Sequence, residues 1–77
     1  MSPTPDQIKN YIANGLECTH VEVDGDGRHF SATIVSEAFV GKRSIQRHQL
    51  VYAALGDRMR EEIHALSMKT LTPEEYK

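Results

Sequence analysis

The sequence has no tryptophan, a single cysteine and no apolar run long enough to cross a bilayer. One cysteine cannot form an internal disulfide, so we expect a protein of the reducing cytoplasm with no membrane segment or signal peptide. Aromatic residues make up only 6% of the chain, so aliphatic side chains must fill most of the core. Basic charge is also scarce, because the formal net charge is −2, which disfavours non-specific binding to nucleic acid.

The polarity pattern predicts one small domain over residues 1–77, beginning with a helix and a hairpin. Thr4, Pro5 and Gln7 are typical of a helix start, which predicts a helix over about residues 5–16. Alternating apolar residues then predict two antiparallel strands on either side of a glycine-rich turn at residues 25–27.

A second amphipathic pattern predicts a longer helix from about Ser44, which can cap it, to Arg60. Its apolar stripe consists of His48, Val51, Tyr52, Leu55, Met59 and Ile63. Residues 63–71 alternate again as a third strand, and residues 72–75 repeat the helix-start pattern. The predicted fold class is therefore α/β (α+β), in the order α-β-β-α-β-α with a three-stranded mixed sheet, since a crossover helix joins parallel strands with right-handed connection.

This topology places polar residues at both ends of the sheet. His29 opens the second strand and His64 opens the third, and parallel neighbours start at the same edge. Lys42, Arg43 and Arg47 lie near the start of the crossover helix, at the opposite end, where basic side chains and free amides can hold a phosphate. The chain thus offers two separate candidate sites.

Three segments together resemble a known family. They are F-x-G-x5-R-H-x2-V-Y-x2-L from Phe39 to Leu55, GDGRHF from Gly25 to Phe30, and IHALSMKTLTP from Ile63 to Pro73. Their residues and spacing resemble the BolA-like family, most closely its IbaG-type branch with histidine in the turn. The resemblance implies a fold similar to type II KH domains and roles associated with stress response and transcription regulation.

The resemblance also implies a partner, a monothiol glutaredoxin of the CGFS type. Such heterodimers share a [2Fe-2S] cluster, to which the glutaredoxin supplies a cysteine and glutathione a second thiolate. By resemblance His64 is a metal ligand here, and His29 is a further candidate. The implied function is iron–sulfur trafficking or iron sensing by a protein that is a cluster-free monomer when isolated.

Each site has a plainer interpretation as well. His64 shares its register with Leu66 and Met68, so it suits a partly buried structural role, and His29 suits a solvated turn. The alternative function is a DNA-binding transcriptional regulator using Lys42, Arg43 and Arg47, although the G-x-x-G loop of KH domains is absent. The sequence contains no oriented nucleophile and base, so we expect no enzymatic activity.

The remaining polar residues near these sites have structural interpretations. We expect a buried His48 bonded to the backbone, and an Arg47 that either faces solvent or pairs with an acid. Cys18 is expected to be a small core or boundary residue. His20 opens the first strand, away from the His29 turn, where it is structural or exposed.

Overall fold

The computed structural model describes residues 4–26, 28–57 and 65–77 and confirms the predicted α+β class and element order. The elements are α1 (Pro5–Gly15), β1 (His20–Gly25), β2 (His29–Val35), a 3-10 helix (Glu37–Phe39), α2 (Ser44–Leu55), β3 (Ala65–Leu71) and α3 (Pro73–Tyr76). The sheet order is β1-β2-β3, with β1 antiparallel and β3 parallel to β2. Within the described ranges, no helix has the length and apolar character needed to span a membrane.

The first helix begins at the residue that its sequence predicts. Thr4 Oγ1 accepts a hydrogen bond from the Gln7 amide at 3.2 Å, and the Thr4 amide donates to Gln7 Oε1 at 2.9 Å. This capping box satisfies two amides that the helix itself leaves unpaired. The stripe of α1 then buries Ile8 and Ile12 completely against the sheet.

Both long helices pack on one face of the sheet. Alternate residues of β1 and β2 point toward them, and Leu66 and Met68 of β3 join the same core as partly buried side chains. The core's buried members are Ile8, Ile12, Val21, Phe30, Ala32, Ile34, Phe39, Val51 and Leu55. The opposite face carries the other half of each strand, since side chains alternate along a strand.

The two helices pack closely against each other at Gly15. A Cβ atom built on Gly15 would lie 2.8 Å from both the Cα and the Cβ of Ala54 and 3.1 Å from its carbonyl oxygen. Backbone therefore packs directly against backbone at this crossing.

The crossover helix differs from its prediction at both ends. Arg43, and not Ser44, is its N-cap, with the Arg43 amide donating to Gln46 Oε1 at 2.9 Å. The helix ends at Leu55 instead of Arg60, because Gly56 takes the left-handed φ of 61° and its amide caps Tyr52. Tyr52 is 41% exposed, so it lies outside the buried stripe. The predicted stripe positions Met59 and Ile63 lie outside the described residues.

The final helix confirms the second helix-start prediction. Thr72 Oγ1 accepts from the Glu75 amide at 3.2 Å, and the Thr72 amide donates to Glu75 Oε1 at 2.8 Å. The helix has only one turn, and Tyr76 stacks on the ring of His20 with centroids 4.9 Å apart. It therefore covers one end of the sheet face that α1 and α2 leave open.

Candidate functional site

His29 begins β2 and stands opposite Ala65, the first described residue of β3. It is exposed, and strand alternation with buried Phe30 places it on the open face of the sheet. His64, the other predicted ligand, directly precedes Ala65 in the sequence but lies outside the described residues. The register of β2 and β3 thus confirms that these two strands start at one edge.

A single aspartate fixes the backbone around His29. Asp26 Oδ1 accepts hydrogen bonds from the amides of Arg28 and His29, at 3.0 Å and 2.9 Å. These bonds, with that from His29 first, lower the pKa of the Asp26 carboxyl below its ordinary value. The Asp26 amide also donates to the His29 carbonyl at 3.2 Å, so the backbone at His29 is held from both sides.

Gly25 is required by packing at the same turn. A Cβ atom on Gly25 would lie 2.3 Å from Cδ1 of Phe30 and 2.7 Å from the His29 carbonyl oxygen. The turn can therefore close tightly over the start of β2 only without a side chain at this position.

The open face next to His29 carries small side chains. Ser31 of β2 and Ser67 of β3 are paired in register, and both are exposed. Because serine side chains are short, they do not cover the imidazole of His29 from the side. A partner protein can thus reach the imidazole across the sheet.

The donor atoms of the described residues do not make a complete metal site. Within residues 4–26, 28–57 and 65–77, no group of three or more His, Cys, Asp or Glu side chains is placed to hold a metal ion. An iron–sulfur cluster normally takes four protein or thiolate ligands. The residues that the structure describes therefore fit such a cluster only as donors of part of the ligand set.

The opposite end of the sheet is organised by Arg47. Its guanidinium donates from Nε to the Lys42 carbonyl and from Nη1 to the Thr70 carbonyl, both at 3.0 Å. Nη1 also donates to Glu75 Oε1 at 2.8 Å, and the side chain is only 13% exposed. Arg47 thereby joins α2, the end of β3 and α3, and lies over the Phe39 ring at 5.9 Å.

Glu75 serves two partners at this junction. Its carboxylate accepts from Arg47 and from the amide of Thr72. The Arg47 hydrogen bond first, and then that of Thr72, lower the pKa of the Glu75 carboxyl below its ordinary value. Of the two predicted environments for Arg47, pairing with an acid is thus confirmed.

The basic cluster is consequently divided. Lys42 and Arg43 are exposed next to the start of α2, whereas Arg47 is engaged with Glu75 and with two carbonyls. Val40 and Ile45, which flank the two exposed cations, are 62% and 66% exposed. An anion at this helix start would meet two available cations and not three.

The other predicted structural residues are partly buried. Cys18 donates from Sγ to the Leu16 carbonyl at 3.3 Å, and burial raises the pKa of its thiol, which confirms a boundary residue. His48 is half-buried instead of fully buried. His20 is half-buried beside Tyr76, and its Nε2 lies 3.3 Å from Glu22 Oε1.

Two residues of these sites have roles that the sequence prediction does not include. The sequence predicts only a turn around Asp26, although an aspartate in a glycine-rich turn is typical of an Asx turn, in which its carboxylate accepts from backbone amides two and three positions later. Glu75 was recognised as part of a helix start, but its pairing with Arg47 depends on tertiary structure. Twenty-eight positions separate the two residues, so no local pattern indicates this contact.

Comparison with known proteins places these features in one family. The family model described as BolA-like protein matches residues 8–75. The chain is 37% identical to the acid stress protein IbaG of Escherichia coli K12 over 71 residues, covering 91% of this chain and 84% of that one. It is 43% identical to the DNA-binding transcriptional regulator BolA of Haemophilus influenzae over 53 residues, covering 69% of this chain and 52% of that protein. A BolA protein homologue from Coxiella burnetii has a structure with a TM-score of 0.89, at 47% identity and 96% coverage of both chains.

Proposed function

This chain belongs to the BolA-like protein family, and from this membership we propose that it pairs with a monothiol glutaredoxin of the CGFS type. The pair holds a [2Fe-2S] cluster between the two proteins. His64 is the ligand from this chain, His29 is the candidate second ligand, and the glutaredoxin cysteine and glutathione supply thiolates. The chain acts in the cytoplasm as an interaction module for iron–sulfur trafficking or iron sensing, and not as an enzyme.

The observation that carries this proposal is the pairing of His29 with Ala65. It supports a location for both histidines at one edge of the sheet, because His64 is the sequence neighbour of Ala65. Asp26 holds the backbone of His29 in place, and the neighbouring Ser31 and Ser67 leave the surface accessible to a partner.

The incomplete ligand set also supports a shared cluster. Neutral imidazole is a good iron ligand, and exchanging thiolate for histidine raises the reduction potential of a cluster. A chain that offers one or two imidazoles and no thiolate at this edge needs a second protein to complete the set. Its single thiol, Cys18, lies before β1, beyond the far end of β2 from His29, and its Sγ donates to the Leu16 carbonyl.

The test is a titration of this protein into cluster-loaded monothiol glutaredoxin, followed by visible absorption and circular dichroism. We expect a spectral change that saturates near one equivalent for the wild type and is lost in His64→Ala. His29→Ala should give a reduced or altered change if His29 is a ligand. An unchanged spectrum with the wild type would refute cluster sharing.

A matched control separates ligand loss from general damage. His48→Ala removes a half-buried imidazole from α2, and it should leave the spectral titration as in the wild type. If His64→Ala also behaves as the wild type, the partnership stands and the ligand assignment to His64 fails. Far-ultraviolet circular dichroism of each variant checks that it is folded.

A second candidate function is DNA binding, which the Haemophilus relative, a DNA-binding transcriptional regulator, favours. In this chain Lys42 and Arg43 are exposed beside the first amides of α2, where a phosphate can bind. The formal net charge of −2 and the engaged Arg47 weigh against a strong interaction. We therefore rank this function below cluster sharing.

Salt dependence distinguishes the two functions. DNA binding through Lys42 and Arg43 predicts an affinity that falls steeply with salt and falls further in Lys42→Ala/Arg43→Ala. It also predicts no effect of His64→Ala. A fluorescence anisotropy titration of labelled duplex DNA between low and moderate salt measures both, and no binding at low salt would remove this candidate.

A further inference from the structure

Strand β1 has a free edge that borders a groove. It is an outer strand of the sheet, since only β2 pairs with it in the described residues. The groove has a volume of about 480 Å³, with Lys9 and Ala13 of α1 on one wall and His20 and Glu22 of β1 on the other. An unpaired strand edge offers amides and carbonyls to any further strand.

The hydrogen-bond pattern shows which residues of β1 face that edge. The Asp26 amide bonds to the His29 carbonyl, so this pair is a hydrogen-bonded pair of the antiparallel ladder. Because such pairs alternate and the register runs without a break from His20 to Gly25, the even-numbered residues bond to β2. The backbone amides and carbonyls of Val21 and Val23 therefore point away from β2.

Charge then selects one register for pairing with a second copy of β1. Antiparallel pairing centred on Val21 sets His20 opposite the partner's Glu22, twice by symmetry. Pairing centred on Val23 sets Glu22 opposite the partner's Asp24, which is repulsive. A centre on Glu22 would also pair outward-facing backbone, Val21 with the partner's Val23, but it sets the two Glu22 carboxylates directly opposite each other, which is repulsive.

We propose that two copies of this chain pair through β1 in the register centred on Val21, which joins two three-stranded sheets into one. The two Val21 residues exchange two backbone hydrogen bonds, and each Val23 amide donates to the partner's Thr19 carbonyl. The Thr19 amide takes no part, since it donates to the Val35 carbonyl at 2.9 Å. The interface is thus short, which fits a dimer that forms at high protein concentration.

The environment of His20 supports this partner. Its Nε2 atom is buried and has no hydrogen bond among the described residues, although Glu22 Oε1 lies 3.3 Å away. A buried polar atom without a hydrogen bond is unfavourable. The Glu22 side chain is 67% exposed and can turn aside, which gives the partner's Glu22 access to the same imidazole.

Sedimentation equilibrium of the 77-residue chain over micromolar to millimolar concentration tests the proposal. We expect a monomer–dimer equilibrium whose dissociation constant rises about tenfold in His20→Glu, because two attractive cross-strand pairs become repulsive. The double variant His20→Glu/Glu22→Lys restores opposite charges and should recover the wild-type constant to within about threefold.

Asp24→Lys serves as the matched control on the same strand. In the register centred on Val21, position 24 faces the partner's Cys18, so the substitution should leave the equilibrium unchanged. In the register centred on Val23, position 24 faces the partner's Glu22, so the added positive charge predicts tighter association. A monomer at all concentrations would overturn the proposal. If the dissociation constant of the dimer is unchanged in His20→Glu, the interface lies elsewhere. If it does not return toward the wild-type value in the double variant, the register is wrong.

Discussion

The two ends of the sheet hold their polar side chains in opposite ways. At the Arg47 end, one guanidinium joins three elements and is nearly buried. At the His29 end, one carboxylate holds only the backbone of the adjacent turn, and the imidazole is exposed. These ends lie about 20 Å apart along β2, at ~3.3 Å per residue.

This difference separates stabilising residues from available ones. Arg47 donates hydrogen bonds to the Lys42 and Thr70 carbonyls and to Glu75, so few of its N–H groups remain for a ligand. His29 keeps its ring nitrogens accessible because Asp26 bonds to its amide and not to its ring. Substitution of the Arg47 side chain should therefore change stability, whereas substitution of the His29 side chain should change binding.

Arg47→Ala should have the largest effect on stability. It removes the donors to the Lys42 and Thr70 carbonyls and the pairing with Glu75, which we expect to lower the free energy of unfolding by about 2–3 kcal/mol. Urea denaturation measures the change, with Arg47→Lys as control, since lysine keeps the charge but loses the planar fork. A loss in Arg47→Ala below about 0.5 kcal/mol would remove the structural role assigned to this residue.

Gly25→Ala should follow, at the other end. The added Cβ would meet the Phe30 ring and the His29 carbonyl, so we expect a loss of about 1–3 kcal/mol through overpacking. Thermal unfolding compares it with Gly41→Ala, whose added Cβ meets nothing within 4 Å but takes a positive φ of 77°. Gly41 has a positive φ and Gly25 does not, so the loss at Gly41 reports backbone strain and the loss at Gly25 reports the clash. A loss in Gly25→Ala below about 0.5 kcal/mol would contradict the packing role assigned to this glycine.

Acid should weaken both ends of the sheet. The pKa of Glu75 is lowered on folding, so its contribution is present above its ordinary value of 4.5 and is lost as pH falls through the folded pKa. Asp26 behaves in the same way below its ordinary value of 3.8. Melting temperatures of wild type, Glu75→Gln and Asp26→Asn between pH 7 and pH 3 should show a smaller acid loss in each variant, and parallel curves would contradict both assignments.

His29→Ala should change stability least. The side chain is exposed, so we expect a change within about 0.5 kcal/mol by urea denaturation. The same variant should nevertheless alter the spectral titration with cluster-loaded glutaredoxin if His29 is a ligand. A large loss of stability would show that the ring is part of the fold and would remove the contrast between the two ends.

Local patterns in the sequence predicted most of the architecture. Capping residues at Thr4 and Thr72 and the alternation on either side of residues 25–27 define four elements without knowledge of the rest. The end of α2 was missed because the apolar spacing continues past Gly56, whereas the backbone turns left-handed there. Periodicity reports which residues are apolar, and it does not report where a glycine ends the helix.

The candidate sites were predicted less completely, for a physical reason. Chain order and the parallel-strand rule were enough to place His29 at the start of the sheet and Arg47 at its other end. The engagement of Arg47 by Glu75 brings together residues from α2 and α3, which have no shared local pattern. The assignment of His64 as a ligand rests on family resemblance and stays a prediction.

The contact of Gly15 with Ala54 limits how this domain can be altered. Replacing a helical glycine with alanine usually gains about 1 kcal/mol of helix propensity, which makes such positions common targets in protein engineering. Here the added methyl group would meet the Cα and carbonyl oxygen of Ala54, so trimming the Ala54 side chain would not relieve the clash. The distance between the two helix backbones therefore leaves no room for a side chain at position 15. We expect selection for thermostability to leave this glycine in place.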